Sequence, residues 1–167
     1  MCGLLAKCDN SNGPLMSLSV RWRTFAELST SDLYDALNLR QAVFVVEQNC
    51  AFLDADGLDL LGIHGLGRDE TGSLVAVARI LPPGSKHPMP SIGRIAVARH
   101  TRRLGYGRSI VADALLDVQR RYPRSPVQID AQLYLEQFYA SFGFKRVGEP
   151  FDEDGIPHIA MTWTPHG

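Results

Sequence analysis

From Arg102 to Arg108 the chain reads RRLGYGR, three arginines around two glycines. Arginines repel one another and glycine weakens a helix, so a helix start needs a reason to hold both. Gly105 and Gly107 nevertheless follow an apolar run, IGRIAVAR. They precede Ile110, Val111, Ala114, Leu115 and Val118, whose spacing marks one face of an amphipathic helix. Strand, Gly-bearing turn and helix, in that order, leave first-turn amides unpaired at the positive end of the helix dipole. The glycines clear side chains from where those amides would face a ligand. A phosphate or pyrophosphate suits such a place, with flanking arginines adding charge-assisted bonds. The alternative is a tight turn with solvated arginines. A Walker A loop is absent, and a GxGxxG fingerprint fails because Ile110 stands where its third glycine would be.

Other groups with usable chemistry are scattered. Tyr139 lies in a helical pattern that Gly143 can end. Its phenol, with a reference pKa of about 10, is protonated at neutral pH and can donate; a Tyr packed on the core is the rival reading. Glu47 closes the apolar run VFVVE, where desolvation would raise its pKa and suit it to act as a base. A surface ion pair is the rival there. His64 falls in a strand pattern and His158 at a strand start, as acceptor-site candidates or as hydrogen-bonded structure. Arg40, inside a helical pattern, calls for a structural carboxylate partner. The segments DADGLD and FDEDG carry Asp54, Asp56, Asp59, Asp152, Glu153 and Asp154. At a cleft these would favour a cationic amine; as solvated loops they would do nothing.

The three cysteines, Cys2, Cys8 and Cys50, form no CxxC pair and imply neither a disulfide framework nor a zinc ribbon. Cys50 reads as a reactive thiol or a half-buried filler, and no residue spacing suggests a metal site. With 17 Lys+Arg against 18 Asp+Glu, the net charge of −1 argues against a nucleic-acid or anionic-membrane surface. The arginine cluster is therefore a local concentration on a neutral chain. No apolar run approaches the ~20 residues that span a bilayer, and the start is a poor signal peptide, so the expected compartment is the cytoplasm.

The elements that must position these groups read as one α/β domain with a mixed sheet of about seven strands, ordered β-α-β-β-β-α-β-α-β-β. Strands are expected at 19–25, 63–69, 73–81, 92–99, 127–132, 144–151 and 158–164, with helices over 29–48, from 107 to about 121, and over 133–143. Residues 1–15 read as a disordered extension or a misassigned start, and 16–167 as the domain.

RIAVARHTRRLGYGRSIVADAL resembles motif A of the GCN5-related N-acetyltransferase (GNAT) superfamily, with Arg102, Gly105 and Gly107 on its Arg/Gln-x-x-Gly-x-Gly/Ala pattern. LRQAVFVVEQNC, DGLDL, IGRIAV, AQLYLEQFYASFGF and EDGIPHIAM extend the resemblance to the ElaA-like subgroup, over roughly residues 19–164. The resemblance implies a GNAT fold with a splayed central sheet and acetyl-CoA as cofactor. It implies pyrophosphate on the backbone of Arg102, Arg103, Leu104, Gly105, Tyr106, Gly107, Arg108 and Ser109. Pantetheine would lie along Ile95, Ala96 and Val97, with the Val97 amide facing the developing oxyanion. Tyr139, four residues before Gly143, would face the sulfur, and Gln132 would stand where relatives contact the cofactor. Glu47, His64 and His158 would serve the acceptor. Where the subgroup carries an Asp, this chain has Ile63, a departure that bears on acceptor recognition. The implied activity is direct N-acetyl transfer to a small amine, polyamine or peptide amine, with a homodimer left open. A non-catalytic acyl-CoA-binding module is the alternative.

Overall fold

A computed structural model describes residues 17–165; the expectation for residues 1–15 lies outside them. The strands are β1 (Ser19–Thr24), β2 (Ile63–Arg68), β3 (Leu74–Leu81), β4 (Ser91–Val97), β5 (Val127–Gln132), β6 (Lys145–Glu153) and β7 (Ile156–Trp163). The α-helices are α1 (Thr30–Arg40), α2 (Tyr106–Arg121) and α3 (Glu136–Ala140). One seven-stranded sheet runs β1-β2-β3-β4-β5-β7-β6, parallel between β4 and β5 and antiparallel elsewhere.

Helices cover both faces. The spacing in α2 buries Ile110, Val111, Ala114 and Val118 against Ala76, Ala78 and Ile80 of β3 and Ile129 of β5. On the other face Ala36 and Val43 pack against Leu66, Val77 and Ala96. β3 is buried from Val75 to Leu81, as a strand covered on both faces must be. Each fully buried Ile, such as Ile80 or Ile110, contributes roughly 1.5–3 kcal/mol by leaving water. Local signals set the ends. Ser29 caps α1 by accepting from the Asp32 amide at 3.1 Å, and Gly72, at φ 84, turns β2 into β3.

Two expected helices are modified. The helix expected to Gln48 ends as α1 at Arg40 and continues as a π-helical segment, Gln41–Glu47, in which the Gln48 and Cys50 amides reach back five residues. Seven residues of α-helix would return Glu47 to the face of Arg40; the wider turns rotate it away. The helix expected over 133–143 shrinks to a 3-10 turn, Leu133–Leu135, and the five-residue α3. So short a helix depends on packing, here the edge-on stacking of Phe138, Tyr139, Phe142 and Phe144.

The sheet opens in its middle. β4 and β5 share one paired position, Ser91 with Gln128, and then part. On its other edge β4 carries a bulge. Val77 faces Ala96 and Arg79 faces Gly93, so β4 holds one residue more than β3, and Arg94 takes a left-handed φ of 50°. Ligands of open α/β sheets sit at the carboxyl ends of such diverging parallel strands.

Candidate active site

The turn after β4 leaves the first amides of α2 without a side-chain cap. Arg103 (φ 72°) and Gly105 (φ 88°) are both left-handed, a backbone arrangement that gathers amides on one side. Gly105 caps α2 without any side-chain hydrogen bond, and no acidic residue occupies its first turn. α1 satisfies the same end with Ser29 and Asp32. Of the two long helices, one answers its own positive end with a cap and an acid and the other has neither. Tyr106 is buried with Val75 and Ala98, so only its backbone faces the turn, while Leu104 and Arg103 are exposed. Ser109 Oγ donates to the Gly105 carbonyl at 3.4 Å. Arg108 donates to Ser141 Oγ at 3.0 Å and stacks on Phe142 at 4.8 Å. Arg102 does not point into the turn. It grips Glu47 with two arms, at 2.5 and 2.8 Å, and its Nε donates to the Val97 carbonyl at 3.3 Å.

Three elements converge beside this turn. A Cβ on Gly107 would lie 3.8 Å from Val97 of β4 and 3.9 Å from Phe138 of α3. The Ala98 amide donates to Val75 of β3 at 2.8 Å, so by strand alternation the Val97 amide and carbonyl face the gap toward β5. Ile95 shares that edge, while the Ala96 side chain is buried in the core.

Across the gap, Tyr139 is buried, with its ring edge-on to Phe138 and Phe144. Among the described residues nothing hydrogen-bonds its hydroxyl. Burial, with a smaller push from Tyr134, raises its pKa above the ordinary phenol value. Tyr134 is a residue the sequence reading missed. It is 66% exposed, yet crowding by the surrounding chain raises its pKa, opposed by Arg102 and reinforced by Glu47, which places the phenol within electrostatic range of the ion pair. The signal that could have found it is its position two residues after Gln132. Gln132 ends β5 and donates to Gln48 Oε1 at 3.0 Å, tying β5 to the end of the π-helical segment.

The histidines separate. His64 is buried in β2, and its Nε2 meets the Asp59 carbonyl at 3.0 Å, which requires the hydrogen on Nε2. Burial lowers its pKa despite that bond and the Asp59 charge. The structure thus sets it under an ion cluster. His158 instead faces Gln132 across the β5–β7 ladder and donates from Nδ1 to the Ile156 carbonyl at 2.7 Å, stacked on Phe151. Beside it runs a groove of about 430 Å³ lined by Gln48, Asn49, Cys50, Phe52, Asp154 and Ile156. The Cys50 thiol donates to the Asp154 carbonyl there at 3.3 Å.

The acidic segment over 54–59 neither borders the groove as free charge nor hangs in solvent. Arg40 binds Asp54 and Asp59, each at 2.7 Å, giving the carboxylate partner the sequence calls for. Arg79 binds Asp56 and Asp59, each at 2.7 Å, and Arg94 reaches Asp54 and Asp56. Three arginines neutralise three aspartates. Burial pushes the Asp56 and Asp59 carboxyls up, but their arginine partners outweigh it and hold both low. Arginines inside the apolar strands SLVAVARIL and IGRIAV were the legible sign, since a buried guanidinium needs an acid. Among the described residues no group of three or more His, Cys, Asp or Glu could hold a metal ion, and no helix is long and apolar enough to cross a membrane.

Comparison with known proteins agrees with this geometry. The model of the acetyltransferase (GNAT) domain matches residues 63–165. Protein ElaA of Escherichia coli is 44% identical over 148 residues, covering 85% of this chain and 95% of ElaA. The crystal structure of Escherichia coli ElaA superposes with a TM-score of 0.82 at 41% identity, over 88% of this chain and 99% of that one. An acyl-CoA N-acyltransferase from Pseudomonas aeruginosa gives 0.82 at 36% identity, over 89% and 100%.

Proposed function

The chain belongs to the GNAT acetyltransferase family, and from that premise we propose that it transfers an acetyl group from acetyl-CoA to a primary amine by direct attack in a ternary complex. The observation that carries this reading is the uncapped start of α2 at the mouth of the gap between β4 and β5, with Tyr139 on its far side. Amides from Arg103 to Arg108 and the guanidinium of Arg102 would hold the pyrophosphate, and Gly107 leaves room for its approach. When bound, acetyl-CoA supplies the thioester carbonyl and a leaving thiolate. The Val97 amide, facing the gap, donates to that carbonyl oxygen as negative charge grows on it. Tyr139 delivers its proton to the sulfur as the new C–N bond forms and the C–S bond breaks. A raised pKa keeps that proton in place until it is needed.

The amine must also lose a proton, and Glu47 takes it, directly or through water. In the structure its carboxylate is engaged by Arg102, with both side chains about one-third exposed. Such a pair contributes only about 0.2–1 kcal/mol. A pyrophosphate, with more charge and better donors around it, draws Arg102 away and leaves Glu47 free. The groove between Gln48–Phe52 and Asp154–Ile156 would take the acceptor: a small amine, a polyamine or a peptide amine.

A panel of amines, polyamines and peptides, followed by free-thiol release from acetyl-CoA, tests the reading. Turnover of any member that collapses in Tyr139→Phe supports it. Silence across the panel, with coenzyme A still binding, would transfer the assignment to a non-catalytic acyl-CoA-binding module.

A further inference from the structure

The strand edge that faces the gap begins beside one strained residue. Arg94 fills the extra position of the β4 bulge at φ 50°, a conformation that non-glycine residues keep only where their surroundings impose it. The surroundings here are the aspartates of the neighbouring loop. Arg94 Nη2 donates to Asp56 Oδ2 at 3.0 Å and to the Asp54 carbonyl at 3.2 Å. Its Nε lies 2.9 Å from Asp54 Oδ1, yet both atoms are buried and lack a hydrogen bond of good angle. At Nε the attachment is by charge alone, and the two aligned hydrogen bonds to the loop are both made by Nη2. The same guanidinium lies 5.8 Å from the ring centre of Phe52, a wall of the groove. One side chain therefore touches the loop, the bulge and the groove.

Resting on the acetyltransferase reading, we propose that Arg94 is a positioning residue of the acyl-transfer site. Tied to Asp54 and Asp56, it holds the bulge that turns Ile95–Val97 toward the gap, and it holds Phe52 against the acceptor groove. Fold stability is not its main office. Asp54 keeps Arg40 and Asp56 keeps Arg79 when Arg94 is removed, so each carboxylate still has a guanidinium partner, and the cluster's one net negative charge can rest on Asp56, whose side chain is 24% exposed.

Arg94→Gly separates the two roles, because glycine accepts the left-handed backbone without strain but has no clamp. The expected result is a protein whose melting temperature stays within a few degrees of wild type. It should lose no more than about tenfold in coenzyme A affinity, since the phosphate turn is untouched and only the Ile95–Val97 edge is loosened. Its kcat should fall at least about tenfold and its acceptor KM rise, while the Ala96 amide, beside the bulge and opposite Val77, exchanges with solvent at least about tenfold faster. Arg94→Lys, which keeps the charge without the fork, should recover part of each loss. Turnover and exchange within twofold of wild type in Arg94→Gly would overturn the proposal. Parallel loss of melting temperature, coenzyme A binding and activity would also overturn it, by showing a role in folding alone. If wild type turns over no acceptor, the acetyltransferase reading fails by itself, and the exchange of Ala96 still decides whether Arg94 holds the bulge.

Discussion

Glu47 and Arg102, fifty-five residues apart, meet in a two-armed ion pair at 2.5 and 2.8 Å, joining the end of the π-helical segment to the turn before α2. The residue proposed to bind phosphate and the residue proposed to accept a proton are each other's partner. Their substitutions should therefore differ in sign. Arg102→Ala should weaken coenzyme A binding by roughly 10–100-fold, the loss of about 1.5–3 kcal/mol in hydrogen bonds to a charged group. Glu47→Gln removes a competitor for Arg102, so affinity should be unchanged or up to about fivefold tighter while kcat falls. Titration calorimetry beside steady-state kinetics separates the two; weaker coenzyme A binding in Glu47→Gln would contradict the exchange of partners.

Gly107 and Gly105 should respond oppositely in the free protein and alike with ligand. A Cβ at Gly107 meets only ordinary contacts, so Gly107→Ala should leave the fold unchanged or stabilise it by up to about 1 kcal/mol. Coenzyme A affinity should nevertheless fall at least about tenfold, because the methyl occupies the path of the pyrophosphate. Gly105→Ala, at φ 88°, should destabilise by about 1 kcal/mol as well as weaken binding. Thermal melts with and without coenzyme A measure both.

Tyr139→Phe should lower kcat by about 10²–10⁴-fold with coenzyme A affinity within a few-fold of wild type. Because its hydroxyl has no partner among the described residues, the melting temperature should hold or rise. Its raised pKa means that the acid stays protonated up to and beyond pH 10. A pH–rate profile for kcat should thus show no alkaline limb from this group below pH 10; a limb near pH 8 that vanishes in Tyr139→Phe would refute the assignment.

Acid should destabilise the fold in two steps. The His64 pKa is depressed in the folded state, so below the free value near 6.5 the unfolded chain binds a proton that the folded chain refuses, and stability falls as pH drops. Asp56 and Asp59 are also depressed, so their contribution is present above about pH 4 and lost as pH falls further. Urea unfolding at pH 7.5, 5.5 and 3.5 measures both steps. His64→Gln, whose amide can still donate to the Asp59 carbonyl, should flatten the first and leave the second.

Much of this arrangement was legible in the residues. The succession of strands along the chain, the amphipathic face of α2 and the Ser29 cap depend on neighbours within one turn or one pleat, and each appeared where its pattern lay. The arginine–glycine turn was legible because a helix start without a cap or an acid is a local property. The role of Arg102 was legible only in part: its charge was visible and its partner was not. Tyr134 was marked only by its place two residues after Gln132, and the bulge at Arg94 left no mark, since an arginine in a strand reads the same at either sign of φ.

What the residues determined by themselves, then, was the class of fold and an uncapped, glycine-bearing start of α2, because backbone amides, glycines and caps act across a few positions. Which carboxylate answers which arginine was left to the tertiary structure. Glu47 reaches Arg102 only because the π-helical turns rotate it off the face of Arg40. Asp54 and Asp56 meet Arg94 at the position where β4 bulges against β3. Charges 38 to 55 residues apart are paired by register and helix phase, and neither is a property of any short stretch of chain.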